Sequence, residues 1–194
     1  MVLTAAATAA VGGESTSAAP ATVAAPAVSA APAANAAPLA AAAASRAAVT
    51  VGPILITVPD GFQAAQTQRR KKSLITAWTH SVKSGASKTL LQIEVLETGK
   101  AESAERHLHL ALEAIARRRS NFSVSPPAHI QLAGVPALRA SWNGSIGGYA
   151  VVGVVYTVAI KDRYVVKLLT QDLGNTPTDG IFAAMQAIEA IRMS

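Results

Sequence analysis

The residues Tyr149–Thr170 read YAVVGVVYTVAIKDRYVVKLLT, and this stretch decides the fold. Tyr149–Ile160 is apolar at both alternating positions, which is typical of a central strand covered on both faces. Lys161–Arg163 supplies the polar residues of a tight turn, and Tyr164–Thr170 is a second apolar strand. The stretch therefore predicts a hairpin at the centre of a sheet that has packed layers on both sides.

Shorter strand patterns flank this hairpin in the sequence. We predict strands, in order, for Pro53–Pro59, Leu74–Val82, Leu90–Leu96, His129–Leu132 and Leu138–Trp142. Residues 84–87 (SGAS) have the composition of a hairpin turn between the second and third of these strands. In the third strand, Leu91, Ile93 and Val95 alternate with Gln92 and Glu94, so its two faces differ in polarity.

Two segments have the periodicity of amphipathic helices. Ala101–Arg119 carries apolar residues at three- and four-residue spacing, namely Ala104, Leu108, Ala111, Leu112 and Ile115. The second helix is predicted to start at Thr176 as N-cap, with Pro177 in the first turn and Asp179 at N3. Its apolar stripe comprises Ile181, Ala184, Met185, Ile188 and Ile191. The order β-β-β-α-β-β-β-β-α predicts an α+β fold, a mainly antiparallel sheet of about six or seven strands with a helix on each face.

A break in composition near residue 48 predicts the domain organisation. Pro20, Pro26, Pro32 and Pro38 recur every six positions in an Ala-rich stretch that lacks the apolar bulk needed for a core. We therefore expect residues 1–48 to be a disordered Ala/Pro tether and residues 49–194 to be a single globular domain. The start, residues 1–11, is apolar and Ala-rich, so it is interpreted either as the remnant of a signal peptide or as further linker.

The pattern resembles the PsbP-like family, which includes bacterial envelope proteins of the DcrB type. The resemblance depends on residues 56–62 (ITVPDGF) and on the block from Gly134 to Ile191, which includes residues 138–142 (LRASW), a glycine turn, the long Val-rich strand and the terminal helix. It covers roughly residues 51–193. It implies an α/β/α sandwich and a non-catalytic accessory or binding role, with no catalytic residues to carry over.

The sharpest charged feature is the run Arg69, Arg70, Lys71 and Lys72. It fits an anionic partner such as a membrane surface, but with no aromatic residue beside it the run has no platform for stacking bases, which disfavours nucleic acid. The alternative interpretation is a solvated loop between the first two strands. A second run, residues 117–119, fits the C-terminal dipole of a helix. Nothing in the sequence places the two runs side by side.

The aromatic residues Trp78 and Trp142 are the candidates for an apolar groove between sheet and helix. Both lie on predicted strands, where packing in the core is the alternative explanation. Together with the absence of any catalytic motif, they favour recognition of a protein or an apolar ligand over catalysis.

Catalytic and metal-binding motifs are missing from the sequence. The chain has no cysteine, which excludes disulfides, thiol catalysis and thiolate metal sites. The histidines, His80, His107, His109 and His129, have no metal-ligand spacing, and no Gly-x-Ser-x-Gly motif is present. We therefore expect no metal, no cofactor and no enzymatic activity. A small hydrolase whose serine and histidine meet only in three dimensions is kept as an alternative.

The expected function is that of a non-enzymatic accessory or binding domain of the bacterial cell envelope, in the periplasm, with a protein as partner. The alternative is a cytoplasmic chaperone or adaptor associated with secretion. The chain has a net charge of +6, and the first 48 residues carry only one acid, Glu14, and one base, Arg46. The positive charge therefore belongs to the predicted domain and favours anionic partners.

Overall fold

The computed structural model describes residues 47–81, 88–174 and 177–193. The elements in chain order are β1 Ala48–Val51, β2 Ile54–Thr57, β3 Gln63–Arg70, β4 Ser73–Ser81, β5 Lys88–Glu97, α1 Ala104–Ala116, β6 Ser120–Val124, β7 Ala128–Leu132, β8 Val135–Ile146, β9 Tyr149–Ile160, β10 Tyr164–Leu173, α2 Asp179–Glu189 and β11 Arg192–Met193. The turn predicted at residues 84–87, the N-cap predicted at Thr176 and all but the last two residues of the predicted tether lie outside the described residues.

The strands form one large and one small antiparallel sheet. The main sheet has eight strands in the order β3-β4-β5-β10-β9-β8, and β8 then pairs with both β6 and β7. The small sheet has the order β1-β2-β11. The α+β class and the mainly antiparallel sheet are confirmed, with more strands than the sequence predicted.

The central hairpin is confirmed. β9 lies between β10 and β8, and its residues from Val151 to Ile160 are mostly buried. Lys161, Asp162 and Arg163 join β9 to β10, and the first two have φ angles of 49° and 51°. The N–H of Arg163 donates to the carbonyl of Ile160 at 3.1 Å, which closes a tight turn with the two left-handed residues at its centre. A turn of this kind matches the right-handed twist of the strands that it joins.

One face of the main sheet is closed by α2 and the small sheet. In β5 the side chains of Leu91, Ile93 and Val95 are buried on this face, as the alternation predicted. The predicted apolar stripe of the second helix is confirmed, since Ile181, Ala184, Ile188 and Ile191 are buried and Met185 is partly buried. We call this side of the sheet the α2 face.

The buried carboxylate of Asp172 fixes the start of α2. Its Oδ2 accepts hydrogen bonds from the backbone N–H and the hydroxyl of Thr178, both at 2.7 Å, and its Oδ1 accepts one from Thr89. Thr178 is the N-cap, so the helix begins two residues later than the sequence predicted, and Asp179 is its first residue rather than N3. The negative carboxylate at a helix N-terminus is favourable because the helix dipole is positive there.

The opposite face, which we call the α1 face, is covered by α1. The predicted apolar stripe of this helix is confirmed: Leu108 and Ile115 are buried, and they belong to a cluster with Leu138 and Val155. The helix packs chiefly on β8, β9 and β10. Among the elements of the described chain, none covers the part of this face formed by β3, β4 and β5.

Four strands were not predicted, and one of them changes an interpretation. Arg69 and Arg70 lie on β3, not in a loop, and only Lys71 and Lys72 form the turn that follows. β3 is an edge strand exposed on almost its whole length, so its sequence QAAQTQRR has no apolar alternation to reveal it. β1, β6 and β11 were also not predicted. The first helix is also shorter than predicted, ending at Ala116.

Candidate functional site

A groove lies on the open half of the α1 face. Its volume is about 790 Å³, within the range typical of ligand sites. The floor comes from β3, β4, β5 and β10, and α1 with the residues after it forms the wall. We call it the α1 groove, and its polar or charged lining residues are Gln66, Gln68, Arg70, Gln92, Glu94, Arg118, Arg119, Lys167 and Gln171.

The floor of the groove combines polar side chains with the apolar Ile75, Leu90 and Leu169, whereas the buried core of the α2 face is apolar. Four glutamines from three strands reach it, and the Lys167 ammonium lies 2.7 Å from the Glu94 carboxylate across the β5–β10 pair. This pairing cancels the charges of Lys167 and Glu94, so the net charge of the groove comes from its arginines. Amide groups that both donate and accept hydrogen bonds are suited to a wet surface or to a polar ligand.

Arg119 forms the wall at the C-terminal end of α1. Its guanidinium lies 4.3 Å from the ring centroid of Trp142, Nη1 donates to the carbonyl of Ile115 at 3.0 Å, and Nη2 donates to Oε1 of Gln171 at 2.6 Å. Its Nε is buried and has no hydrogen-bond partner among the described residues. Burial, with a smaller contribution from the charge of Arg118, lowers the pKa of Arg119.

Trp142 occupies its position because Gly153 lies opposite it on β9. A Cβ at Gly153 would lie 2.6 Å from Cε2 of Trp142 and 2.8 Å from the carbonyl oxygen of Thr170. A side chain at residue 153 would therefore displace the ring that supports Arg119. Glycine allows the indole to lie flat against the strand.

The structure brings the two basic runs to the same groove. Arg70 comes from the first run and Arg118 and Arg119 from the second, and all three line the α1 groove. The sequence could not predict this juxtaposition, because it depends on where the fold places β3 relative to the end of α1. The glutamine floor and the stacking of Arg119 on Trp142 were also missed.

The other residues of the first run lie in a smaller cleft. Arg69, Lys71 and Lys72 line it together with Arg70, and its volume is about 290 Å³. Glu97 lies there too, but it is paired with Arg163 at 2.8 Å. Binding of an anionic surface by Arg69, Arg70, Lys71 and Lys72 stays a prediction.

Both tryptophans proposed for a groove are buried. Trp78 is 4% exposed and packs in the core of the α2 face, and Trp142 is 3% exposed beneath Arg119. Trp142 also borders a second cavity of about 550 Å³, the α2 cleft, which contains the exposed side chains of Val124 and Phe182. Their role in ligand recognition stays a prediction.

The histidines have separate environments. His107 lies 2.6 Å from Glu102 near the start of α1, and His80 stacks on Phe62 at 5.3 Å between ring centroids. Within residues 47–81, 88–174 and 177–193, no three His, Asp or Glu side chains are placed to hold a metal ion. In the same residues, no histidine is hydrogen-bonded to a serine hydroxyl.

Comparisons with known proteins show the fold. No protein-family model matches the sequence, and no curated protein matches it. LpqN of Mycobacterium tuberculosis, which is involved in cell envelope biogenesis, matches with a TM-score of 0.53 and 17% identity over 73% of this chain and 83% of LpqN. This likeness shows a shared α/β sandwich and no more.

Two further solved structures match less well. The Ran-binding protein Mog1p of Saccharomyces cerevisiae has a TM-score of 0.47 and 14% identity, over 73% of this chain and 90% of Mog1p. A Pseudomonas aeruginosa protein of unknown function, a putative regulator, has a TM-score of 0.42 and 12% identity, over 66% of this chain and 83% of that protein. In the part of the chain that the structure describes, no helix has the length and hydropathy of a membrane span.

Proposed function

We propose that the protein is a non-enzymatic binding domain of the bacterial cell envelope that recognises a protein partner through the α1 groove. One observation carries the proposal. Among the residues that the structure describes, nothing covers part of one sheet face beside α1, and the lining of this opening combines glutamines and arginines with apolar side chains such as Leu90 and Leu169. A stable fold tolerates such a surface when it is solvated or occupied by a ligand.

The lining of the groove favours binding over catalysis. Within the part of the chain that the structure describes, its polar side chains are amides, three guanidinium groups and one Lys–Glu ion pair, with no histidine or serine among them. Arginine and glutamine suit recognition because they offer several directed hydrogen bonds without a proton to exchange at neutral pH.

The envelope location rests on two supports. The PsbP-like family, which the sequence resembles, includes envelope proteins. LpqN, a protein involved in cell envelope biogenesis, has the same kind of fold. Membership of the PsbP-like family is part of this proposal. The Ala/Pro stretch before residue 48 would hold the domain away from an attachment point.

The test is site-specific cross-linking in intact cells that express the native full-length gene, followed by fractionation. A photo-reactive amino acid is placed at Gln66, which is exposed in the α1 groove, or at Gln186, which is exposed on α2 on the opposite side of the sheet. We expect one discrete protein adduct from Gln66, in the envelope fraction, and none from Gln186.

Other outcomes would overturn parts of the proposal. A protein confined to the cytosol contradicts the envelope location and favours the cytoplasmic adaptor. Equal adducts from both positions contradict the α1 groove as the binding surface. Hydrolysis of model esters or peptides by the purified chain contradicts the non-enzymatic role and favours the hydrolase.

The α2 cleft favours a second candidate function, the binding of an apolar ligand. Phe182 is 52% exposed and Val124 is 44% exposed, and both line this cleft of about 550 Å³. We expect an environment-sensitive apolar dye to bind the purified chain, and Phe182→Ser to weaken that binding. Binding that is unchanged by Phe182→Ser would remove the α2 cleft as the apolar site.

A further inference from the structure

We infer that the occupant of the α1 groove is an acidic segment of the partner polypeptide, with one of its carboxylates bound at Arg119. This inference rests on the proposed function, because it names the chemistry of the partner recognised there. It is carried by the charges that line the groove, by the arrangement of Arg119 and by the amides of the floor.

The arginines of the α1 groove lack acidic partners among the described residues. Three of the six other described arginines pair with carboxylates: Arg117 with Glu113 at 3.4 Å, Arg139 with Glu189 at 3.5 Å and Arg163 with Glu97 at 2.8 Å. Among the residues that the structure describes, no carboxylate lies within ion-pair distance of Arg70, Arg118 or Arg119. Glu94, the one acid among the described residues that line the groove, is already paired with Lys167. The groove therefore has three positive charges that a ligand can neutralise.

Arg119 is held in place before any ligand arrives. Stacking on Trp142 and the hydrogen bonds to Ile115 and Gln171 fix the plane of the guanidinium. These bonds use two of its five N–H groups, so donors remain for a carboxylate. A fixed guanidinium loses little conformational entropy on binding, and a partly desolvated one forms stronger charge-assisted hydrogen bonds.

The floor favours a polypeptide over a phosphate-bearing partner. Gln66, Gln68, Gln92 and Gln171 present both donors and acceptors, which match the amide groups of a peptide, whereas phosphate oxygens only accept. The described residues that line the groove include no aromatic side chain on which a base could stack. The floor spans four adjacent strands, or about 14 Å, which is the length of roughly four extended residues.

The probe is a fluorescein-labelled hexaglutamate peptide, titrated with the purified full-length chain at low and at moderate salt. Hexaglutamine is the neutral control, and a labelled oligothymidylate and phosphatidylglycerol vesicles represent the phosphate-bearing alternatives. We expect saturable binding of hexaglutamate that weakens with salt, no binding of hexaglutamine, and weaker binding of both phosphate probes.

Matched double variants separate recognition in the groove from general attraction. Arg70→Gln with Arg118→Gln removes two charges inside the α1 groove, and Arg69→Gln with Arg117→Gln removes two charges from adjacent positions that do not line it. We expect the first pair to raise the Kd for hexaglutamate about tenfold and the second pair less than about twofold. Arg119→Lys keeps the charge but loses the planar donors, and should raise the Kd about fivefold.

Equal weakening by the two double variants would overturn the inference, because it would show attraction by net charge alone. Tighter binding of the oligothymidylate or of the vesicles would assign the groove to a phosphate-bearing partner instead.

The proposed function can survive either result. If Gln66 still cross-links one envelope protein, the groove binds a partner and only its acidic chemistry is wrong. If Gln66 gives no adduct while hexaglutamate still binds selectively, the recognition chemistry stands and the cellular role fails.

Discussion

The α2 face and the α1 face of the main sheet are built from the same strands but are covered to different extents. The α2 face is closed by a helix and a second sheet, and its side chains form the larger core cluster. The α1 face has one helix of 13 residues. Seven strand positions span about 29 Å, and a helix with its side chains is about 10–12 Å across, so a single helix leaves part of the face open.

The residue types on the two faces of the strands correspond to this difference in cover. β5 places Leu91, Ile93 and Val95 on the closed face, and Leu90, Gln92 and Glu94 on the open one. A core that had merely lost its cover would expose an apolar patch. The open half instead carries glutamines, arginines and a Lys–Glu pair among its apolar residues, which is why we interpret it as a binding surface and not as a packing defect.

The first prediction compares neighbours on β5 and has the largest expected effect. Leu91→Ala should lower the free energy of unfolding by about 3 kcal/mol, because it leaves a cavity at a fully buried position. Gln92→Ala, one residue further on the opposite face, should cost less than about 0.5 kcal/mol. Chemical denaturation of both variants checks this. Similar losses from both would show that the α1 groove is as tightly packed as the core.

The second prediction compares two glycines of the α1 face. Gly153→Ala should lower the free energy of unfolding by about 2 kcal/mol, because its Cβ would collide with Trp142 and with the carbonyl of Thr170. At Gly144 an added Cβ would lie 3.2 Å from Cβ of Arg119, so Gly144→Ala should cost less than about 1 kcal/mol.

The readout for the glycine pair is thermal unfolding together with the near-ultraviolet signal of tryptophan. Gly153→Ala should change both, because it displaces the indole of Trp142. If Gly153→Ala costs as little stability as Gly144→Ala, β9 shifts easily to make room for the added Cβ. Trp142 then does not depend on Gly153 for its position.

The fold was more predictable than the site, and particular residues show why. Burial on both faces of β9 and the alternation in β5 leave a direct record in the sequence, because apolar side chains are required wherever a strand is covered. β3 leaves no such record. Its side chains are nearly all exposed, and its place in the sheet comes from hydrogen bonds to β4, to which any sequence can contribute.

The site depends on distant residues that meet only in three dimensions. Arg70 and Arg118 are separated by a strand pair and a helix, and the support of Arg119 by Trp142 depends on a glycine on a third element. Each residue by itself has an ordinary explanation, such as helix-end charge or core packing. Local periodicity contains no information about such pairs, so the sequence predicted the basic runs but not their shared groove.

The third prediction tests how the closed face accommodates a charge. Asp172→Asn should lower the free energy of unfolding by about 1.5 kcal/mol, because the amide cannot accept from both Thr89 and Thr178 as the carboxylate does. Asp179→Asn makes the same change of charge at the exposed first residue of α2 and should cost less than about 0.5 kcal/mol. Chemical denaturation at neutral pH is the measurement, and equal costs would show that Asp172 contributes only a dipole interaction.

The last prediction concerns acid and the start of α1, and its effect is the smallest. The hydrogen bond to His107 is the main cause that lowers the pKa of Glu102, aided by the charges of His107, Arg106 and Lys100 and opposed by burial. A carboxylate with a lowered folded-state pKa stabilises the fold above its ordinary value of 4.5, and this stabilisation disappears as the pH falls through the folded-state value. Glu102→Gln should therefore be less stable than the parent at neutral pH, and the difference should shrink as the pH falls below 4.5 and vanish below the lowered folded-state pKa of Glu102. Glu105→Gln, an exposed change in the first turn of the same helix, should show no such convergence.

If the difference in stability between the parent and Glu102→Gln persists unchanged into acid, the pair of Glu102 with His107 does not hold α1 on the sheet. The packing of α1 on the α1 face then depends on apolar contacts alone.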